Sequence, residues 1–345
     1  IVEGAGRFTA EDLSQVFGGL ASLSVREPLF AAHLAGEGRP LVGALSAQAQ
    51  RTATELTASQ AVRIIWALGK LGVLQEDLIS VLAGQLGRPA ALRDLSAKDV
   101  AMCAWGLAKV RSRNVALPRT LSRHIQSGLV QSFGEQSIAN TMWAFATLNV
   151  RDKALMQSMA ARALDADVLH SLTCQAMANI AWALAHLGIR DDAMMEAIAE
   201  RAMEDGRLAE FKPKELANLA WAFARLDLLQ EPLFQRLVPQ VQRQLNSLKP
   251  LDIAMLSWAF ATAGLRDYPL MLAIARRVVG DGLVDRFNNQ GITMTTWAFA
   301  TLDIRDDALL GAVAKRARRP QVLATFNDQD LANTAWAFAS LGVHD

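Results

Sequence analysis

The sequence predicts an all-α fold: a right-handed α-solenoid of paired antiparallel helices, about 38 residues per repeat and roughly nine repeats. Three observations carry this reading. Tryptophan stands at Trp66, Trp105, Trp143, Trp182, Trp221, Trp258, Trp297 and Trp336, an almost even ladder, and nowhere else. Around each lies a recurring block, such as Asn140-Thr-Met-Trp-Ala-Phe-Ala-Thr-Leu148 and Asn333-Thr-Ala-Trp-Ala-Phe-Ala-Ser-Leu341. No stretch alternates apolar and polar residues long enough to make a strand. Length alone would allow two ordinary domains, but the period assigns 1–345 to a single solenoid. Residues 1–55 form a degenerate first repeat, and 56–345 hold the Trp-marked repeats, the last truncated. In the first repeat Gly18 takes the Trp place but lies further from Trp66 than one period, so an insertion is expected around Gly36-Glu-Gly-Arg-Pro40.

The first helix of each repeat has legible ends. An apolar residue lies ten before the Trp (Phe133, Leu172, Phe211, Leu248, Phe287, Phe326), then a cap candidate such as Thr57, Ser96, Thr173, Asn288 or Asn327. Another apolar residue follows five before the Trp, and the pair forms a hydrophobic staple around an N-cap. Six after the Trp stands Gly72, Asn149, Gly188, Asp227, Gly264, Asp303 or Gly342, residues that tolerate a left-handed C-terminal cap. Helix one therefore runs about fourteen residues. The next turn often reads Arg-Asp (Arg151-Asp152, Arg190-Asp191, Arg266-Asp267, Arg305-Asp306), with the Asp expected to cap helix two. Ala193–Met203 and Ala308–Ala317 carry its spaced apolar positions. Their late cations, among them Arg276-Arg277, Lys315-Arg316 and the run Arg316–Arg319, read as solvated partners of the helix dipole.

Each residue turns a helix by about 100°, which sorts the positions of helix one around its axis. Apolar sites fall on the side opposite the Trp, and small residues, mostly Ala, on one flank. Only the sites seven and three before and four after the Trp turn polar, forming one narrow line beside it. The triplets are Ser59, Arg63, Lys70; Lys98, Met102, Lys109; Gln136, Asn140, Thr147; Gln175, Asn179, His186; Lys214, Asn218, Arg225; Leu251, Met255, Thr262; Gln290, Met294, Thr301; and Gln329, Asn333, Ser340. None is acidic, whereas 34 acids in 345 residues predict two or three by composition. Amides offer donor and acceptor to a base edge and Lys or Arg neutralise phosphate, so the polar members are the candidate RNA-binding residues. Helical repeats can present one such set per nucleotide, which implies a single strand of roughly eight or nine nucleotides. Packing roles stand beside this reading. An Asn of the line could instead bond to the next repeat's backbone and set register, and each Trp reads first as a packing wedge rather than a stacking platform.

The block Leu-Ala-Asn-x-x-Trp-Ala-x-Ala-x-Leu, cleanest at Leu216–Leu226 and Leu331–Leu341, resembles the octotricopeptide repeat. The resemblance covers about Leu13 to Asp345. It implies sequence-specific RNA binding in a chloroplast or mitochondrion, acting on RNA stability, processing or translation, with other organellar proteins as further partners. Arg63, Met102, Met255 and Met294 depart from the family's Asn, and Leu251 from its polar residue, so the Trp258 repeat is expected to read weakly.

The remaining composition narrows the function. With 35 basic and 34 acidic residues the chain is no bulk-field binder, and two cysteines make neither a disulfide scaffold nor a zinc site. No apolar run is long enough to span a membrane; Ile253–Leu265 reads as a buried helix. The five histidines lack metal-ligand spacing and the Gly36 stretch lacks a phosphate-loop Lys-Ser/Thr, so no cofactor, metal or catalysis is expected. Cys103 reads as inert core, and the acid pairs Asp191-Asp192 and Asp306-Asp307 as caps. The chain starts at Ile1 and stops at His344-Asp345, where a further helix two should begin, so a fragment is expected. The alternative function is a protein-interaction scaffold of armadillo or HEAT type, or a structural subunit of an organellar assembly.

Overall fold

The computed structural model describes residues 5–36 and 38–343; Glu37 of the insertion and the His344-Asp345 helix start lie outside them. The described residues form helices, turns and loops and contain no strand. They divide into two units, Ile1–Leu172 and Thr173–Asp345. Within each, helices stack consecutively, as a solenoid of helical repeats requires.

In the first unit the helices one are Ala10–Arg26, Ala58–Leu71, Ala97–Lys109 and Glu135–Thr147, the last three holding Trp66, Trp105 and Trp143. In the second they are Cys174–Leu187, Pro213–Arg225, Pro250–Thr262, Asn289–Thr301 and Asp328–Ser340. They are called below by their tryptophans. Each packs on the next within its unit, and the helices two, such as Glu76–Leu86, Lys153–Leu164 and Asp192–Met203, form a second layer behind. The insertion in the first repeat is an extra helix, Pro28–Ala35, placed just before Gly36; the following helix, Arg39–Arg51, packs on Glu76–Leu86 as helix two.

The caps fall where the Trp spacing places them. Thr57, Ser96, Thr173, Asn288 and Asn327 each accept a backbone N–H three residues on, and Thr57, Ser96 and Asn327 form full capping boxes. Asp152, Asp191, Asp267 and Asp306 cap helix two in the same way. Caps of this kind contribute about 0.5–2 kcal/mol each. Asn149, Asp227 and Asp303 hold φ between +52° and +55° at the helix-one C-terminus, the place where Gly72, Gly188 and Gly264 occur in other repeats. Arg111, at the equivalent position of the Trp105 repeat, takes φ +53° without any of those residue types.

Burial follows the angular map. Phe145, Phe223, Phe260 and Phe299, two after their tryptophans, are at most 1% exposed, and the residues ten before the Trp, such as Phe133, Phe211 and Phe287, are buried with them. The small residues face the neighbouring helices one, and the Trp66–Trp105 contact shows why. A Cβ on Gly106 would lie 2.6 Å from the Ile65 carbonyl oxygen, and one on Gly69 would lie 2.8 Å from Gly106 Cα. The two backbones touch there, so neither site admits a methyl.

Two elements of the fold depart from the expected pattern. A short helical turn, such as Leu129–Ser132, Ala166–Leu169, Arg207–Glu210 or Pro320–Leu323, leads from helix two into the next repeat. Several late cations of helix two are also structural rather than solvated, whereas Arg276 and Lys315 stay exposed and make no ion pair among the described residues. Arg162 Nε donates to the Phe133 carbonyl at 3.1 Å, Arg316 donates through Nε and Nη2 to Phe287, and Arg277 donates to Asn246. Arg162 also pairs with Asp165 and Asp167, which holds its guanidinium charged well above the usual range. Within the Arg316–Arg319 run, Arg319 pairs with Asp285 at 2.6 Å. Of the Arg-Asp turns, Arg266 and Arg305 donate to the carbonyls of Asp303 and Leu341, tying each repeat to the next, while Arg190 pairs with Asp192.

Backbone contact at Gly106 makes a signed prediction. Gly106→Ala should lower the urea midpoint by an amount corresponding to about 1–3 kcal/mol of overpacking. Gly84→Ala, at an open site in the last turn of the Glu76–Leu86 helix, should raise it by up to about 1 kcal/mol. Shifts of the same sign in both variants would contradict the close approach.

Candidate nucleic-acid interface

Helix one is covered by its neighbouring helices one and by helix two, and its remaining side carries the polar line. The residue seven before the Trp is exposed in every repeat: Ser59, Lys98, Gln136, Gln175, Lys214, Leu251, Gln290 and Gln329. The residue four after is exposed at Lys70, Lys109, His186, Arg225, Thr301 and Ser340 and half-buried at Thr147 and Thr262. The middle residue sits deeper. Arg63 is exposed; Met102, Asn140, Asn179, Met294 and Asn333 are half-buried; Asn218 and Met255 are buried, at 6% and 8%.

The amides of the line are open. The side chains of Asn140, Asn179, Asn218 and Asn333 make no hydrogen bond among the described residues, nor do those of Gln136, Gln175, Gln290 and Gln329. At Asn179 and Asn218, whose next repeats lie in the same unit, the register bond is therefore not formed. The Thr147 and Thr262 hydroxyls are buried without a partner, as are those of Thr141, Ser257 and Thr295 elsewhere on the helices one. The cations Arg63, Lys70, Lys98, Lys109, Lys214 and Arg225 make no ion pair among the described residues. The acids nearest the line, Asp99, Glu215, Asp252 and Asp330, are turned into the caps of their own helices.

The tryptophans belong to this face. Seven are half-buried and Trp336 is 48% exposed, so they wedge between helices while keeping part of the ring open. In the second unit Trp221, Trp258 and Trp297 form a row with centroids 6.4 and 6.3 Å apart, and Trp182 stacks on His186 at 4.7 Å. In the first unit Lys70 lies over both Trp66 and Trp105, and Lys109 over Trp105. The angular map contains the signal, since it sets the Trp directly beside the polar positions on one side of the helix.

Partial burial of the ring, and then the Arg225 charge, lower the His186 pKa below its ordinary value of 6.5. The ring is therefore neutral at pH 7 and offers one donor and one acceptor, as an amide does. Cys103 is fully buried and its thiol is pushed up to about 12. Among the described residues no group of three or more His, Cys, Asp and Glu side chains is placed to hold a metal ion, and no helix is long and apolar enough to cross a membrane.

The RNA-editing substrate-binding complex 6 protein family matches residues 31–171 and 168–345. The chain belongs to that family. Its two matched stretches meet within a few residues of the Leu172–Thr173 boundary between the units. A search of curated proteins gave no match.

The His186 environment is open to direct measurement. Protonation is disfavoured in the folded chain, so its NMR titration midpoint should fall below 6.5, and Arg225→Gln should move it upward. A midpoint at or above 6.5 in the folded protein would show that burial and Arg225 do not act on the ring.

Proposed function

We propose that the helix-one face binds single-stranded RNA in a sequence-selective way, contacting roughly eight or nine nucleotides. The observation that carries this reading is the line of unbonded amides and unpaired cations beside half-exposed tryptophans, free of acids. Arg63, Lys70, Lys98, Lys109, Lys214 and Arg225 meet phosphate. Gln136, Asn140, Thr147, Gln175, Asn179, His186, Asn218, Thr262, Gln290, Thr301, Gln329, Asn333 and Ser340 address bases. The family's name, with its RNA-editing substrate and its complex, supports an RNA ligand and protein partners for this chain too. The repeat length and Trp block support an octotricopeptide-type array working in a chloroplast or mitochondrion. The role is binding without catalysis, as a sequence-specific subunit whose partners supply any chemistry.

A second reading, a surface for protein partners, has one specific support. Leu251, 48% exposed, lies with Met255 and Met294 on the helices of Trp258 and Trp297, an apolar interruption in the polar line.

Selection from a random single-stranded RNA pool should return a motif of about eight nucleotides. Asn140→Ala, Asn179→Ala and Asn333→Ala should each relax preference at one position, at about 1–3 kcal/mol for a lost base contact, with helix content and melting unchanged. Absence of any enriched motif, or loss of fold in all three variants, would remove the RNA-reading role.

A further inference from the structure

The cations of the polar line are unevenly placed. In the first unit all four, Arg63, Lys70, Lys98 and Lys109, belong to two adjacent helices, those of Trp66 and Trp105, and the line of the Trp143 helix has none. The same helices make the Gly69–Gly106 backbone contact, where other repeats carry Ala at the equivalent sites. That contact brings the Trp105 ring to within 3.2 Å of where a Gly69 Cβ would stand. Lys70, next in sequence, then reaches across the repeat boundary. Its Nζ lies 5.5 Å from the Trp66 centroid and 4.8 Å from the Trp105 centroid, and Lys109 Nζ lies 5.5 Å from the same Trp105. A cation over an indole face is held by the ring quadrupole and keeps its outer side for an anion. These ring faces are thereby occupied by ammonium groups rather than left for bases, unlike the Trp221, Trp258 and Trp297 row.

Resting on the RNA reading above, we propose that the Trp66–Trp105 helix pair is a phosphate anchor, a site that grips the sugar-phosphate backbone of the strand without reading its bases. Lys70 and Lys109, pre-positioned over the indoles, with Arg63 and Lys98 flanking them, hold consecutive phosphates. The amide-bearing repeats supply the sequence preference. The arrangement separates affinity from specificity along the chain. Four of the line's six cations sit on these two adjacent repeats, Lys214 and Arg225 on the Trp221 helix add a separate pair, and hydrogen-bond readout lies on repeats such as those of Trp143, Trp182 and Trp336, whose lines carry no Lys or Arg.

The test is the salt dependence of binding by the full chain to two single-stranded RNAs of equal length, the selected motif and a scrambled version. Single-strand binding loses about 0.7 in the slope of log affinity against log salt for each phosphate contact removed. Lys70→Gln with Lys109→Gln should flatten the slope by about 1.4 and weaken both RNAs by about the same factor, roughly five-fold per lysine at ~0.1 M salt. The ratio between the two RNAs should not change. Arg119→Gln with Lys153→Gln removes the same charge from exposed helix-two positions of the same unit and should leave the slope nearly intact. If the wild-type chain binds RNA but the Lys70/Lys109 variant keeps its slope, or loses only its preference for the motif, the anchor is overturned and the RNA reading stands. If the wild-type chain binds neither RNA, both fall.

Discussion

The close approach of successive first helices is the constraint on which the rest of this structure depends. It requires small residues on the flank read from the sequence and also at the position one after each Trp, where Ala or Gly stands in every Trp-marked repeat; at Gly69 and Gly106 even a methyl is excluded. Tight flanks leave one narrow side of each helix open. A bulky residue at the edge of that side, the Trp, fills the groove above the small residues while part of its ring faces out. The polar line follows, because only that side is not consumed by packing. The regular repeat then sets such lines next to one another within each unit.

The second layer is held by a different chemistry. Charged late-helix-two side chains donate to carbonyls that helix one cannot satisfy, at Phe133, Asn246 and Phe287. A hydrogen bond from a charged donor contributes more than a neutral one, about 1.5–3 kcal/mol. Some basic residues on the helix-two side are thus committed to backbone and to neighbouring acids, as with Arg162, Arg201, Arg277 and Arg319, while others such as Arg119 and Lys153 stay exposed. On the helix-one side none of the cations of the line is ion-paired among the described residues, and no acid stands among them. A chain with nearly balanced charge acquires a charged face by this division rather than by composition.

Much of the fold is legible in the residues because caps and periods are local. Thr57, Ser96 and Asp152 cap where their identity and spacing place them, since an N-cap needs only its own side chain and a backbone N–H three residues away. Contacts spanning a repeat are not legible in this way. Arg316 reads as a dipole partner by position, and only the fold brings the Phe287 carbonyl, far earlier in the chain, within reach. The tryptophans are half legible: their spacing sets the period, but whether a ring is buried or open depends on how deeply the next helix overlaps it. The polar line is legible as a set of positions, whereas the absence of hydrogen bonds on its amides depends on what the neighbouring helix presents to them. Arg111 in a left-handed cap has no marker in residue type, because the repeat geometry overrides local preference there, whereas the extra helix Pro28–Ala35 has local markers, Pro at its first position and Leu and Ala after it, that lie outside the repeat pattern.

The face assignment is the claim from which the functional reading follows. It is tested most directly by cross-linking the full chain to a single-stranded RNA carrying 4-thiouridine and mapping the adducts by mass spectrometry. Adducts are predicted in the helix-one segments, including 135–147, 174–187, 213–225 and 328–340, with tryptophans and their polar neighbours carrying the modified bases. Adducts confined to the helix-two segments 153–164, 192–203 and 307–317, with helix one unmodified, would contradict the account.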